Sequence, residues 1–348
     1  ASFALCVFLA APGLTWLDGG ELALAAGSLG VAHPPGEPAY LVLARLAAFV
    51  PVGDLPFRLT LLSAATVAGA SGMLAAIVSH AAGRLSSIPG ASVPLAGLLA
   101  GGLFACAPAT VLQGVRPELY GLAALLGLLS VRALQLGGRR GVALAVLPLC
   151  VAGAVHHAML VAAAPGLVLL ATHRGRGSLR AGLVCCCLLL GPGLLQFLYL
   201  PLRSLAEPAL DFGTPQTFDR IVHSVTAAGY ARSFQPVDGQ VARNLVAHLQ
   251  MFRSDLGLQV LLLASVGFVS GWRRARRRTL ALLLVLGIGL LPTVLQGLFR
   301  EDNPDARGYL LGPIAVLCSA GSLGALALLS RVRAAAPGAA AWVGTVLI

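Results

Sequence analysis

Long apolar stretches separated by short polar segments repeat along the whole chain. Stretches close to the roughly 20 residues of a membrane-crossing helix occupy positions 56–80, 93–112, 119–136, 181–200, 279–298 and 308–330. Shorter ones occupy 141–155, 158–172 and 256–271, with partial ones at 1–14 and 338–348. The pattern predicts an all-α polytopic membrane protein, a single domain over residues 1–348 with about 10–11 transmembrane helices.

The apolar stretch at residues 40–50 is the exception. It is short, lies between Pro38 and Pro51, and carries Arg45 at its centre. An arginine in the middle of a spanning helix costs about 2.5–3.5 kcal/mol. We therefore expect this stretch to form a helix along the membrane surface rather than across it.

Arginine positions predict the orientation of the chain. With residues 40–50 on the surface, the arginine-bearing loops all fall on one side; their arginines are Arg84, Arg139, Arg140, Arg174, Arg176, Arg180, Arg273, Arg274, Arg276, Arg277, Arg278, Arg331 and Arg333. Positive residues mark the cytoplasmic side. Residues 15–55 are then the first external loop, and 201–255 form a second external segment.

Composition narrows the class of protein. Hydrophobic residues make up 57% of the chain and charged ones 11%, and the mean hydropathy is +0.87. The net charge of +11 lies in the short arginine loops, so we expect membrane lipids and no nucleic acid as partners. The absence of lysine indicates high-GC coding and a bacterial inner membrane, with the external segments facing the periplasm. The chain starts without Met inside one apolar run and ends inside another, which predicts truncation at both ends.

The seven cysteines do not form a recognisable site. Their number is odd, all lie in apolar runs, and no CxxC pair occurs, so a disulfide framework or a zinc site is not expected. Nucleotide-binding loops and the GxSxG and HExxH patterns are also absent from the sequence. Twelve of the thirteen acidic residues fall clearly in external segments, with Asp54 at the end of the first loop. Charge at a membrane is costly and usually functional.

The first external loop holds the most informative motif. Asp18 and Glu21 open an expected helix over residues 21–30 and share one face of it. They form either a polar site or a capping box with Asp18 as N-cap, and spacing alone favours the cap. His33 follows in a stiff turn with Pro34 and Pro35. It binds a phosphate or sugar hydroxyl, or it caps the turn at the membrane interface.

Other external motifs allow the same two interpretations. Arg116, Glu118 and Tyr120 suit a helix anchor or a polar site. His156 and His157, expected at a turn between two short spans, are ionisable residues inside the membrane and hence functional candidates. Tyr199 and Arg203 end a span at the outer interface, where an arginine suits an anionic partner such as a lipid phosphate. Arg307 closes an acidic turn that is mostly solvated in the simplest interpretation.

These motifs together resemble the membrane family known as domain of unknown function 2723, which includes protein O-mannosyltransferases of the transmembrane protein 260 type. The matching stretches start at Leu17-Asp18-Gly19-Gly20-Glu21-Leu22 and Leu29-Gly30-Val31-Ala32-His33-Pro34-Pro35-Gly36. They continue with Pro56-Phe57-Arg58, Leu61-Leu62-Ser63-Ala64, Glu118-Leu119-Tyr120, His156-His157, Tyr199-Leu200-Pro201-Leu202-Arg203, Phe212-Gly213-Thr214-Pro215-Gln216-Thr217 and residues 223–230.

The resemblance implies the GT-C glycosyltransferase fold, with interfacial helices and the active site in the first external loop. It implies a polyprenyl-phosphate sugar as donor, inversion at the anomeric carbon, and a protein or glycan acceptor. Asp18 would be the general base, assisted by Glu21. The donor and its phosphate would be lined by His33, Arg116, Glu118, His156, His157 and Arg203, to which we add Tyr120, Tyr199 and Arg307 as substrate-binding candidates. No cofactor is required, and a divalent metal is compatible.

Two other functions remain open at the level of sequence. The chain could transport or flip lipid-linked sugars, although no internal repeat of the kind common in transporters is visible. It could also be a transferase that modifies a lipid or a glycan rather than a protein. A non-catalytic scaffold explains the concentration of external carboxylates least well.

Overall fold

The computed structural model describes residues 1–85, 90, 92–172, 180, 184, 187, 193–234, 238–297 and 302–335. Within them the regular structure is helical, with one isolated bridge between Val31 and Asp211. The helices are α1 (Ser2–Leu9), α2 (Asp18–Ser28), α3 (Pro38–Ala47), α4 (Leu55–Ala82), α5 (Ser92–Cys106), α6 (Pro108–Gly114), α7 (Tyr120–Leu136), α8 (Gly138–Thr172), α9 (Tyr199–Ser204), α10 (Phe218–Val225), α11 (Gln240–Val294), α12 (Pro304–Gly308) and α13 (Leu311–Ala335). Four of them are long and apolar enough to cross a membrane. The chain is an all-α polytopic membrane protein.

Several predicted spans correspond to single helices. α4, α7 and α13 match the stretches at 56–80, 119–136 and 308–330 within a few residues. Half of the stretch at 181–200, and all of 338–348, lies outside the described residues. The count of about 10–11 transmembrane helices therefore stays a prediction.

The predicted span at 93–112 is wrong as a single helix. α5 ends at Cys106, Ala107 adopts an extended conformation with ψ of 126°, and α6 starts at Pro108. Proline disfavours a helical conformation in the residue before it and cannot donate the backbone hydrogen bond that would continue the helix. The chain therefore changes direction at Ala107.

α8 reverses direction at its middle, as predicted from the two short spans around the histidine pair. His156 leaves the helical conformation, with φ of −159° and ψ of 92°. Leu167 lies in one apolar cluster with Val142 and Ala145, whereas an unbroken helix would separate residues 142 and 167 by about 37 Å. Residues 138–155 and 158–172 therefore pack as a hairpin with the histidines at its tip.

α11 consists of three helical segments rather than one. The backbone leaves the helical conformation at Gly257 and again at Ala275. A Cβ added to Gly271 would lie 2.7 Å from Thr279 Oγ1, so the chain turns back around Ala275. This turn carries the predicted arginine loop at 273–278. The segments at 258–274 and 276–294 correspond to the predicted spans at 256–271 and 279–298.

The first external loop contains two short helices, α2 and α3. α3 covers most of the stretch at 40–50, and its ten residues rise about 15 Å, half the thickness of the hydrocarbon core. It is too short to cross. Arg58 ties the loop between α3 and α4 with hydrogen bonds to Ala48, Val52 and Gly53 carbonyls at 2.8, 3.2 and 2.9 Å.

Small residues allow the helices to approach closely. A Cβ on Gly324 of α13 would lie 1.9 Å from Leu263 O, and one on Gly267 would lie 2.0 Å from Ala320 O. The same holds between α4 and α5, where a Cβ on Gly101 would meet Ser71 O at 2.6 Å. Backbone contact of this kind replaces the hydrophobic driving force that lipid does not supply between helices.

Gly324→Ala should therefore destabilise the bundle. The added methyl group meets a backbone oxygen that cannot rotate away, and overpacking of this kind costs about 1–3 kcal/mol. Thermal unfolding of the detergent-solubilised protein measures the effect. Gly287→Ala is the matched control, because its Cβ would enter open space; equal melting temperatures for the two variants would contradict the packing described.

Candidate active site

α2 begins at Asp18 itself, three residues earlier than the sequence predicted. The N-cap is Leu17, and no side chain caps the helix. The Glu21 carboxylate accepts hydrogen bonds from the His33 backbone N–H at 2.6 Å and pairs with His33 Nδ1 at 3.1 Å. The capping-box alternative is therefore wrong, because Glu21 faces the turn that follows α2 and not the Asp18 backbone.

The C-terminal end of α2 is held by side chains from distant helices. Arg45 donates to Gly27 O at 2.6 Å, Arg203 donates to Leu29 O and Ser28 O at 2.6 and 3.3 Å, and Tyr199 donates to Gly30 O at 2.8 Å. These are carbonyls that a helix terminus leaves without intrahelical partners. Two guanidinium groups at this end also complement the helix dipole.

We call this set of contacts the α2 clamp: Arg45, Tyr199 and Arg203 on the terminal carbonyls of α2. It places Tyr199 and Arg203 at the opposite end of the helix from Asp18. Their predicted role as substrate-binding residues remains a prediction. What the structure adds is a positioning role, since α2 carries Asp18 and Glu21.

His33 is surrounded by three carboxyl groups. Glu21 lies at Nδ1, while Asp18 Oδ2 and Glu37 Oε1 lie 3.9 and 3.7 Å from Nε2. Burial alone would lower the pKa of His33, but the hydrogen bond to Glu21 and the charges of Glu37, Asp18 and Glu21 raise it to about 10. The imidazole is therefore protonated across the neutral range.

The two motif carboxylates differ in character. Burial raises the pKa of Asp18; His33 opposes the shift, and the neighbouring Asp305 and Glu21 carboxyls add to it. Burial would also raise the pKa of Glu21, but the hydrogen bonds and charge of His33 outweigh it and lower the pKa. Asp18 is thus the better proton acceptor, whereas Glu21 is a fixed anion that orients His33.

A buried ion-pair network lies beside Asp18. Arg116 and Glu118 are each 1% exposed, with Nη1 and Oε1 3.1 Å apart. The Nη2 of Arg116 donates to Asp305 Oδ1. Ser63 of α4 fixes the Glu118 backbone by accepting from its N–H and donating to its carbonyl, both at 2.9 Å. Arg116 and Glu118 therefore lie in the polar cluster beside Asp18, and their substrate-binding role stays a prediction.

Aromatic rings pack beneath this network. Tyr120 and His156 have ring centroids 5.4 Å apart, and Tyr309 lies 5.3 Å from Tyr120 and 5.1 Å from His156. His157 stacks on His156 with centroids 6.3 Å apart. The break in α8 thus brings the histidine pair to the same end of the bundle as Arg116 and Glu118.

Arg307 is engaged by a carboxylate rather than open to a ligand. Its Nη1 donates to Asp255 Oδ1 at 2.9 Å, and Asp255 Oδ2 also accepts from the Ala109 backbone N–H at 3.1 Å. Gln113 adds a hydrogen bond to Pro304 O at 2.8 Å. These contacts join α6, α11 and α12, which gives Arg307 a structural role. Its substrate-binding role remains a prediction.

Sequence reasoning missed four residues of the cluster: Glu37, Tyr230, Asp305 and Tyr309. Asp305 was assigned to a solvated turn, yet its side chain is 15% exposed and paired with Arg116. Tyr230 is half-exposed, and the charges of Asp18, Glu21 and Glu37 add to the effect of burial in raising its pKa. Two sequence signals pointed toward some of them: Glu37, Tyr230 and Asp305 lie in segments predicted to be external, and Tyr230 ends the matching stretch at residues 223–230.

Two sets of donors have the spacing that a metal ion uses. One ligand atom from each of Asp18, Glu21 and His33 lies within 4.8 Å of the others, and the same is true of Asp18, Glu118 and Asp305. Oxygen donors of the second set suit magnesium or manganese. The guanidinium of Arg116 already neutralises two of these three carboxylates, so a metal ion there would compete with it.

An apolar cavity of about 150 Å³ lies within the bundle. It is lined by residues of α4, α7, α8, α11 and α13, including Leu74, Leu128, Leu167 and Val285. His156 lines it as well. The cavity and the polar cluster therefore share a wall.

Comparison with known proteins finds similarity in the part of the chain that carries the motif residues. Residues 18–178 match the model described as the N-terminal domain of protein O-mannosyl-transferase TMEM260. A curated relative, protein O-mannosyl-transferase TMEM260 of Mus musculus, is 34% identical over 106 residues, which are 30% of this chain and 14% of the relative. The family resemblance is confirmed for this part of the chain, which corresponds to a small part of the mouse protein.

The charge state of His33 predicts how stability depends on pH. Its pKa is about 10 in the folded protein against 6.5 ordinarily, so the folded state binds the proton more tightly. The stabilisation is complete below about pH 6.5 and is lost as the pH rises toward about 10. Melting temperatures from about pH 6.5 to about pH 9.5 should fall in the wild type and fall less in His33→Gln. The exposed His223, changed to Gln, should leave the slope unaltered; identical slopes in all three proteins would refute the assignment.

Proposed function

Because residues 18–178 match the N-terminal domain of a protein O-mannosyl-transferase family, we propose that the chain is a glycosyltransferase. It transfers a mannose-like sugar from a polyprenyl-phosphate donor to a hydroxyl group, with serine or threonine of a protein as the expected acceptor. The observation that carries the proposal is Asp18: a partly exposed carboxylate with a raised pKa, held at the start of α2 beside a protonated histidine.

Asp18 is the general base in the proposed reaction. The acceptor oxygen attacks the anomeric carbon while its proton passes to the Asp18 carboxylate. The bond between the anomeric carbon and the phosphate oxygen breaks, and its electron pair leaves with polyprenyl phosphate. Attack opposite the leaving group inverts the anomeric centre. A raised pKa makes Asp18 a stronger base than an ordinary carboxylate, and its 37% side-chain exposure gives an acceptor access.

The remaining residues bind and position in this proposal. Glu21 fixes the orientation of His33, whose positive charge, together with Arg116, offsets the charge of the departing phosphate. Tyr120, His156 and His157 line the inner wall of the site. The apolar cavity next to His156 supports a lipid-linked donor, because it offers an isoprenoid chain a path that starts at the polar cluster. A divalent cation would have to compete with Arg116 for Glu118 and Asp305; bound there, it would add positive charge at the phosphate.

The GT-C fold and the orientation belong to the same proposal. The segments that sequence assigns to the outside meet at one end of the bundle, where Arg116 joins Asp305 and Arg307 joins Asp255. The arginine loop at 273–278 lies a full helical segment away from that end. This arrangement supports an active site on the non-cytoplasmic face of a bacterial inner membrane.

Asp18→Asn should abolish sugar transfer while leaving the fold intact. The amide cannot accept the acceptor proton, and loss of a general base costs roughly 10²–10⁴-fold in rate. The purified protein is incubated with radiolabelled polyprenyl-phosphate mannose and serine- or threonine-containing peptides. The exposed Asp219, changed to Asn, serves as control. Full turnover by Asp18→Asn would eliminate the catalytic role, and donor binding without turnover in the wild type would instead favour a carrier of lipid-linked sugars.

The orientation has its own test. In a background without the native cysteines, Cys introduced at Arg276 should react with an impermeant maleimide only after the cytoplasmic side is opened. Cys at Asp219, on the predicted external segment, should react in intact cells. The reverse labelling pattern would place the site on the cytoplasmic face and overturn the proposed donor topology.

A further inference from the structure

Glu37 adopts the left-handed backbone conformation, which residues other than glycine rarely take. It lies between the turn after His33 and the first residue of α3, with φ of 47° and ψ of 46°. Its side chain does not cap the helix that it precedes. A left-handed conformation is unfavourable for a residue other than glycine and persists where the surroundings enforce it, often at functional sites. Here the conformation accompanies a carboxyl group directed inward.

The Glu37 carboxyl group is buried and only half used. The residue is 2% exposed, and Oε1 lies 3.7 Å from His33 Nε2. Oε2 is buried without a hydrogen-bond partner among the residues that the structure describes. A buried polar atom left unpaired is destabilising, so an oxygen in this position is suited to a hydrogen-bonding group that arrives with a ligand.

The charges around Glu37 determine which part of a sugar phosphate it can bind. Asp18 lies, like Glu37, at Nε2 of His33, and Glu21 lies at Nδ1, so one imidazolium faces three carboxyl groups. A phosphate placed directly against Glu37 would bring negative charge beside a carboxyl group. A sugar hydroxyl is uncharged and can donate a hydrogen bond to Oε2 or accept one from it, so the contact does not depend on the protonation of Glu37, whose pKa burial raises to about 8. Ring hydroxyls are therefore the better match in both charge and hydrogen-bonding capacity.

We propose that Glu37 binds one ring hydroxyl of the transferred sugar through Oε2 and so contributes to the choice of sugar. The inference rests on the proposed glycosyltransferase function and adds a residue that neither the motif nor the family comparison singles out. It also orients the donor: the sugar ring faces Glu37, and Asp18, on the same side of His33 Nε2, lies within reach of the acceptor. Glu37 is a substrate-binding residue in this arrangement, whereas Glu21 remains a positioning residue.

Monodeoxy donors test the contact. The wild type, Glu37→Ala and Glu207→Ala are compared with polyprenyl-phosphate mannose and with analogues that each lack one ring hydroxyl. Glu207 is a matched control, because it also has a positive φ, of 49°, but is exposed. The wild type should lose roughly tenfold to a hundredfold in kcat/KM with one analogue. In Glu37→Ala that penalty should disappear, while Glu207→Ala should retain it.

The outcomes separate this inference from the proposed function. If the wild type transfers no sugar at all, the glycosyltransferase proposal fails and the inference falls with it. If the wild type transfers sugar but Glu37→Ala discriminates among the analogues as the wild type does, the function stands and the contact is wrong. Should Glu37→Ala fail to fold, Glu37→Gln preserves the size of the side chain and should reduce the same discrimination; unchanged discrimination in that variant overturns the inference.

Discussion

The architecture of the candidate site depends on how the C-terminal carbonyls of α2 are satisfied. A helix of eleven residues at a membrane surface has little packing area of its own, and its terminal carbonyls cannot be left unpaired where water is scarce. Arg45 and Arg203 supply donors and positive charge at that end, and Tyr199 adds a third donor. Because a helix is rigid, fixing its last turn also fixes Asp18 and Glu21 at its first.

The second requirement is that buried charge be paired. Arg116 lies between Glu118 and Asp305, and removing one member of such a network would leave an uncompensated charge at low dielectric, at a cost of about 3–5 kcal/mol. Asp255 plays the corresponding part for Arg307. The Arg116–Asp305 pair connects the turn before α7 to a segment almost two hundred residues later, and the Arg307–Asp255 pair connects α11 to α12. The polar cluster is therefore part of what holds the external ends of the helices together.

Much of the fold was readable from the sequence because lipid imposes simple rules. Apolar length predicted α4, α7 and α13, and the rule that arginines remain inside predicted the turn at Ala275. Proline at position 108 was visible but was overlooked within a uniformly apolar stretch. The reversal at His156 was expected because the polar histidine pair separates two short apolar stretches, 141–155 and 158–172.

The site was only partly predictable, since its members meet through tertiary contacts. Spacing paired Asp18 with Glu21 and suggested a cap, whereas the structure pairs Glu21 with His33, twelve positions away. The sequence could not show whether Arg203 binds a phosphate or helix carbonyls. Phosphate oxygens and carbonyl oxygens both accept hydrogen bonds from a guanidinium group. Nothing local marked Glu37 or Asp305, whose burial is set by the neighbours that surround them.

The way the ion pairs cross the chain bears on how such a protein can evolve. Residues 18–178, which match the family model, contain Asp18, His33 and Arg116, but not Asp305, Tyr199 or Arg203. The motif is therefore not self-contained, because its side chains depend on partners outside the matched residues. Substitutions in the later helices can change the environment of Asp18 without altering the motif itself.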